Sequence, residues 1–219
     1  MYRLIIAQKA YSSWSLRGWL LLNAFGIPYE EEMIRMYTDS FSDAMDARAP
    51  ARTVPILEWE EGGREMRVWE SLAIAETLAE RHPERGIWPD DPVERNVARI
   101  VANEMHAGFA ALRTACPMNL HRGGRKKDPI TEELTADIDR VAEVWTWALE
   151  TTGGPWLAGH AFSAADVFMA PVATRLDSYG LVDRRTETYT RRILSHASMR
   201  RWTSAAREDP ERIEWYDRH

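Results

Sequence analysis

The sequence predicts a small mixed α/β domain followed by an all-helical one. Short strand-like apolar runs lie near the start of the chain, apolar residues at helical spacing fill the rest, and a charged, proline-rich segment divides the two. With 219 residues, 45% of them hydrophobic, the chain can bury one large core or two small ones.

Tyr2 to Ala7 reads as a strand, and apolar positions from Trp14 to Phe25 then recur at helical spacing until Gly26 and Pro28 stop them. Tyr29 to Ile34 is a second strand-like stretch. Thr38 to Pro50 suits a loop or a short helix. Val54 to Trp59, a Glu-Gly-Gly-Arg turn and Arg67 to Trp69 together read as a hairpin. Ser71 to Glu80 places apolar residues at 72, 74, 75 and 78, one face of a helix. Arg81 to Pro92 holds three prolines and a glycine among charges, as linkers do. Helices are then expected over about 93–115, 131–152 and 163–181, with a shorter pair beyond. A βαβ unit followed by ββα over about 80 residues is the arrangement of a thioredoxin-like domain. The expected organisation is thus an α/β N-terminal thioredoxin-like domain over 1–81, a linker over 82–92 and an all-α C-terminal helical bundle over 93–219.

Composition excludes several function classes. The net charge of −6 is interspersed, and the densest basic run, Arg122 to Lys127, lies beside Gly-Gly as an exposed loop would, so no nucleic-acid partner is expected. The sequence lacks an apolar run of membrane-spanning length and a secretory leader pattern, so a cytoplasmic location away from membranes is expected. The lone cysteine, Cys116, excludes an internal disulfide and cysteine-pair redox chemistry. It reads as a small buried hydrophobe. No His/Asp/Glu cluster has metal-ligand spacing, so no metal is expected.

Four stretches carry further information: Tyr11-Ser-Ser-Trp-Ser-Leu-Arg17, Thr53-Val-Pro-Ile-Leu57, Trp69-Glu-Ser-Leu-Ala-Ile-Ala75 and Phe162-Ser-Ala-Ala-Asp-Val-Phe168. In this order and at these spacings the chain resembles the cytosolic glutathione transferases along essentially its whole length, as a serine-type member with a distant zeta- and theta-like character. The resemblance implies the glutathione transferase fold, glutathione as co-substrate, a small electrophile as second substrate and a homodimer.

Each stretch has its own physical logic. Proline makes a cis peptide cheap, and a cis bond before Pro55 would turn the Val54 backbone outward at the sheet edge. The resemblance implies that Val54 then pairs with the cysteinyl unit of glutathione, as a short strand adds to a sheet. Ser71 sits where a helix should begin, and unpaired N–H groups there suit a carboxylate. By resemblance that carboxylate is the γ-glutamyl one, with Glu70 accepting from the amino group of the same unit. Ser163-Ala-Ala-Asp166 has the form of a capping box and is read as structural, with Pro171 expected to kink the helix that follows.

A free thiol has a pKa of about 8.5, and the thiolate is the nucleophile. A hydroxyl aimed at the sulfur stabilises the anion, and a shift of about two units would supply roughly 2.7 kcal/mol. Ser12 and Ser13 lie before the helix and Ser15 in its first turn. Ser12 is expected at the thiol by alignment with serine-type members, with Ser13 the alternative and Tyr11 less favoured. A serine hydrolase would need a Gly-x-Ser-x-Gly turn and a paired histidine, and neither is found. The zeta pattern has a cysteine after its two serines and this chain has Trp14, which puts maleylacetoacetate isomerase activity in doubt. The second-substrate pocket is expected between the domains, lined by Tyr11, Trp14, Phe109 and Arg113. Arg17 reads equally as a surface charge or a polar contact near the site, and His106 as hydrogen-bonded in place rather than a general base. The leading function is a glutathione S-transferase. The alternatives are a glutathione-dependent isomerase or peroxidase on the same scaffold, or a non-catalytic binding protein.

Overall fold

The sheet is built around β1 (Tyr2–Ile6), which explains why that segment is apolar almost throughout: it is an interior strand, buried on both faces. The computed structural model describes residues 1–218; His219, the last residue of the expected helical region, lies outside the described residues. After β1 come α1 (Ser13–Asn23), β2 (Tyr29–Met33), α2 (Asp39–Asp46), the hairpin of β3 (Ile56–Glu61) and β4 (Arg64–Trp69), and α3 (Ser71–Arg81). The strand order is β2-β1-β3-β4, with β1 and β2 parallel and the other pairs antiparallel. Gly62 and Gly63, at φ 58° and 73°, make the two-residue turn that only positive φ allows between such strands.

Side chains alternate across β1. Leu4 and Ile6 join the main core, while Ile5 packs with Ile34, Met45, Val54 and Ile56 in a second, smaller one. Gly26, at φ 65°, ends α1 and lets the Ile27 amide reach the Leu22 carbonyl at 3.0 Å. The short helix α2 occupies the segment expected as loop or helix.

The register decides where the site lies. Ile5 pairs with Ile56, and Ile56 with Trp69. The chain leaving β1, the chain entering β3 and the chain leaving β4 therefore meet at one end of the sheet. Residues 12–13, Val54–Pro55 and Glu70–Ser71 all open from that end. The Val54–Pro55 peptide is cis. Gly18 in α1 permits this approach, because a Cβ there would stand 2.7 Å from Pro55 Cβ.

The segment between α3 and α4 (Pro92–Ala107) is tied down: Ile87 and Trp88 are buried, and the Ile87 carbonyl accepts the Ala164 amide at 2.8 Å. The expected helix over 93–115 is in fact two, α4 and α5 (Ala110–Ala115). Phe109, at φ 56°, turns the chain between them, and Gly108 leaves no room for a Cβ, which would meet the Glu104 carbonyl oxygen at 2.7 Å. Asp137 on α6 (Glu132–Thr152) then caps α5 by accepting the Leu112 amide at 2.8 Å. α7 (Ala164–Ser178) runs through Pro171 as one helix, buried on nearly every side against α1, α4 and α8 (Glu187–Leu194). α9 (Ala197–Glu208) and the single turn α10 (Glu214–Asp217) complete the chain. Among the described residues no helix is long and apolar enough to cross a membrane.

Candidate active site

At the mouth of α1, Ser12 rather than Ser13 is the N-cap, and Ser13 is already the first helical residue. Ser12 Oγ accepts the Ser15 amide at 3.3 Å and donates to Ser15 Oγ at 2.7 Å, while Ser15 Oγ also accepts the Ala7 amide at 2.9 Å. This small network fixes the β1–α1 turn. Ser13 Oγ instead accepts from Arg175 Nη2 at 3.1 Å. Both hydroxyls open on a cavity of about 420 Å³ whose walls include Tyr11, Trp14, Arg113 and Arg175.

The C-terminal turn roofs this cavity with Trp215 and Tyr216. The Tyr11 hydroxyl accepts the Ile213 amide at 3.2 Å, and its ring lies 4.8 Å from that of Tyr216. Burial raises the Tyr11 pKa, so its phenol stays protonated. Asn119 donates to the Tyr216 carbonyl at 3.3 Å and to Asp217 at 2.9 Å, and Arg35 pairs with Asp209 and Glu211. Nothing in the local sequence of residues 209–217 marks them as part of a site that includes Tyr11, 202 positions from Ile213.

Of the four expected pocket residues, Tyr11, Trp14 and Arg113 line the cavity. Phe109 does not: the turn at Gly108 carries its ring into the core. Trp14 is an electrostatic crossroads. The Arg17 guanidinium lies 4.2 Å from its ring centroid, that of Arg113 5.3 Å, and the His106 ring meets it edge-on at 5.3 Å.

Arg17 is no surface charge. It is 1% exposed, its Nε and Nη1 have no hydrogen-bond partner, and burial beside Arg175 and Arg113 pulls its pKa down to about 9. Burial and the Arg17 charge also lower the pKa of His106, which favours the neutral ring. Cys116 is fully buried and pushed up to about 11 by desolvation, an inert thiol.

The second cluster lies across the same end of the sheet. Glu70, not Ser71, is the N-cap of α3, and it contributes no side-chain capping bond. It holds φ at 71°, a left-handed backbone that costs a non-glycine residue roughly 1 kcal/mol or more. Its carboxylate lies 3.8 Å from His106 Nε2, which links it through His106 to Trp14. Ser71 is 0% exposed and its hydroxyl has no hydrogen-bond partner among the described residues. A helix start thus stands with an uncapped first turn and an orphaned buried hydroxyl, the polar arrangement that an anion completes. Among the described residues no group of three or more His, Cys, Asp or Glu side chains is placed to hold a metal.

Residues 11–81 match the family model of the glutathione S-transferase N-terminal domain. The N-terminal region of the chain is thus a glutathione S-transferase N-terminal domain, and the chain is similar over most of its length to glutathione S-transferases and maleylacetoacetate isomerases. It is 27% identical over 206 residues to glutathione S-transferase omega-2 of Mus musculus, covering 94% of this chain and 75% of that one. To maleylacetoacetate isomerase of Rattus norvegicus it is 26% identical over 175 residues, covering 78% and 76%. Among solved structures, a maleylacetoacetate isomerase from Anaeromyxobacter dehalogenans with bound GSH in its active site superposes with a TM-score of 0.64 at 27% identity, covering 96% and 97% of the two chains. The chain therefore has both transferases and isomerases among its relatives, on one fold.

Proposed function

We propose that this protein is a glutathione transferase that binds glutathione across the common end of its sheet and conjugates the thiolate, stabilised by a serine at the mouth of α1, to small electrophiles. The observation that carries this reading is the Ser71 hydroxyl, buried and unpartnered at the uncapped start of α3. The γ-glutamyl carboxylate fills that position, its ammonium pairs with Glu70, and the Val54 backbone bonds the cysteinyl unit. The thiol then reaches the serines at the sheet's other exit.

The thiol proton leaves to water through the cavity. The thiolate sulfur attacks an electrophilic carbon, a carbon–sulfur bond forms, and the leaving group departs with its electron pair. Positioning and anion stabilisation supply the acceleration. Arg113 on the cavity wall favours electrophiles that carry negative charge. The same arrangement would support glutathione-dependent isomerisation, where the thiolate adds and later leaves.

Calorimetric titration with reduced glutathione, followed by product assay with an activated aryl halide, tests the reading. Binding with turnover is expected. Binding without turnover on aryl halides, enones or cis-dicarboxylates would favour a scaffold role, and absence of binding would overturn the assignment.

A further inference from the structure

The two hydroxyls at the start of α1 differ in what they have left to give. The Ser12 proton is committed to Ser15 Oγ at 2.7 Å inside the helix cap. Ser13 Oγ accepts from a guanidinium, so its own proton remains for a group in the cavity.

That guanidinium is unusual in its placement. Arg175 comes from α7, is 5% exposed, and is held on its other sides by the Cys116 carbonyl at 3.0 Å and the Pro171 carbonyl at 3.2 Å. No carboxylate among the described residues pairs with it. Three fixed N–H···O contacts aim one side of a buried cation at Ser13. A hydroxyl that accepts from a cation becomes a stronger donor, since each bond polarises the next.

We infer that Ser13 is the catalytic donor to the glutathione sulfur, with Arg175 as the positioning residue behind it, and that Ser12 serves the helix cap. This rests on the thiolate reading above and assigns its donor. The expectation from alignment, which favours Ser12, is thereby reversed on hydrogen-bonding grounds. The other charges around the site are Arg17 on α1, Arg113 on α5, His106 on α4 and Glu70 at the start of α3. Of the charged groups among the described residues, only Arg175 is hydrogen-bonded to either serine.

The test follows the absorbance of bound glutathione against pH in the wild type, Ser12→Ala, Ser13→Ala, Arg175→Met and Arg175→Lys, with glutathione affinity measured in each. The wild-type thiol should titrate well below the free value of about 8.5. Ser13→Ala should return it upward by about one unit or more, a tenfold loss of thiolate per unit. Arg175→Met should raise it similarly, Arg175→Lys less, and the Ser13→Ala/Arg175→Met pair should be less than additive because the two act in series. A purely structural role for Arg175 would lower stability without moving the thiol pKa.

Should Arg175→Met fail to fold, Ser13→Ala against Ser12→Ala still decides the donor. An upward shift in Ser12→Ala alone overturns the inference and leaves the transferase reading intact. A wild-type thiol that titrates as free glutathione overturns thiolate stabilisation and the inference with it, whereas absence of binding removes the functional reading as a whole.

Discussion

Among the helices that begin at a serine, α7 and α3 do so in opposite ways. At α7, Asp166 accepts the Ser163 amide at 2.9 Å, the Leu157 amide at 3.1 Å and the Tyr189 hydroxyl at 2.8 Å, so buried donors of three segments converge on one carboxylate. At α3, Glu70 offers no cap and the Ser71 hydroxyl has no partner. Both starts are buried at their serine. The closed one holds the helical region together. The open one lacks an acceptor, and that lack is what a ligand can satisfy. Completeness of hydrogen bonding, more than residue type, separates the two starts.

The largest effect should come from opening the closed end. Asp166→Ala leaves four buried donors unpaired, the Ser163 hydroxyl at 3.3 Å among them, and should cost about 4 kcal/mol, read as a loss of denaturation midpoint with unchanged slope. An Ala variant as stable as the wild type would dissolve the contrast.

Next in size is a pH effect at the same carboxylate. Burial raises Asp166 to about 6 from an ordinary value of 3.8. The folded state therefore holds this proton where the unfolded chain has released it. Stability from this group is fully present below about pH 4 and falls as pH rises through about 6, by about 3 kcal/mol at most. The stability gap between wild type and Asp166→Asn should narrow over that window. A gap that widens as pH rises would mean that the donors around the carboxylate outweigh its desolvation.

Gly18→Ala acts between the two starts. A Cβ 2.7 Å from Pro55 would push α1 off the loop that carries Val54, and should cost about 2 kcal/mol along with weakened glutathione binding. Unchanged affinity in this variant would show that Val54 does not contact the ligand.

The smallest change in stability belongs to the open end. Ser71→Ala removes an orphaned hydroxyl, so the free protein should keep its melting temperature while glutathione affinity drops about tenfold, or ~1.4 kcal/mol. Lost stability with unchanged affinity would make Ser71 structural and erase the difference from Ser163.

Much of this was legible along the chain. The hairpin at Gly62–Gly63, the stop at Gly26 and the start of α7 depend on neighbours within a few residues, so local spacing reveals them. The break between α4 and α5 was hidden, because a single glycine in a helical pattern is usually tolerated. What makes Gly108 a break is the burial of Phe109 and the cap from Asp137, 25 residues from the amide it accepts. Phe109 was therefore expected on the pocket wall and stands in the core. Arg17 was ambiguous for a similar reason: a charge at one position of a helix says nothing about the aromatic rings of Trp14 and Phe168 that will enclose it.

By itself the sequence determined most of the secondary elements, the cis-prone Val54–Pro55, the serine-bearing mouth of α1 and the family resemblance, since each depends on short-range sterics and hydrogen bonding. Tertiary structure alone decided that the chain leaving β1, entering β3 and leaving β4 meets at one end of the sheet, that Tyr216 roofs the cavity, and which serine keeps a free proton. The bond from Arg175 to Ser13 joins residues 162 positions apart. Such a contact exists only once α7 has packed against α1, because burial and the pairing of long-range polar groups are properties of the folded interior.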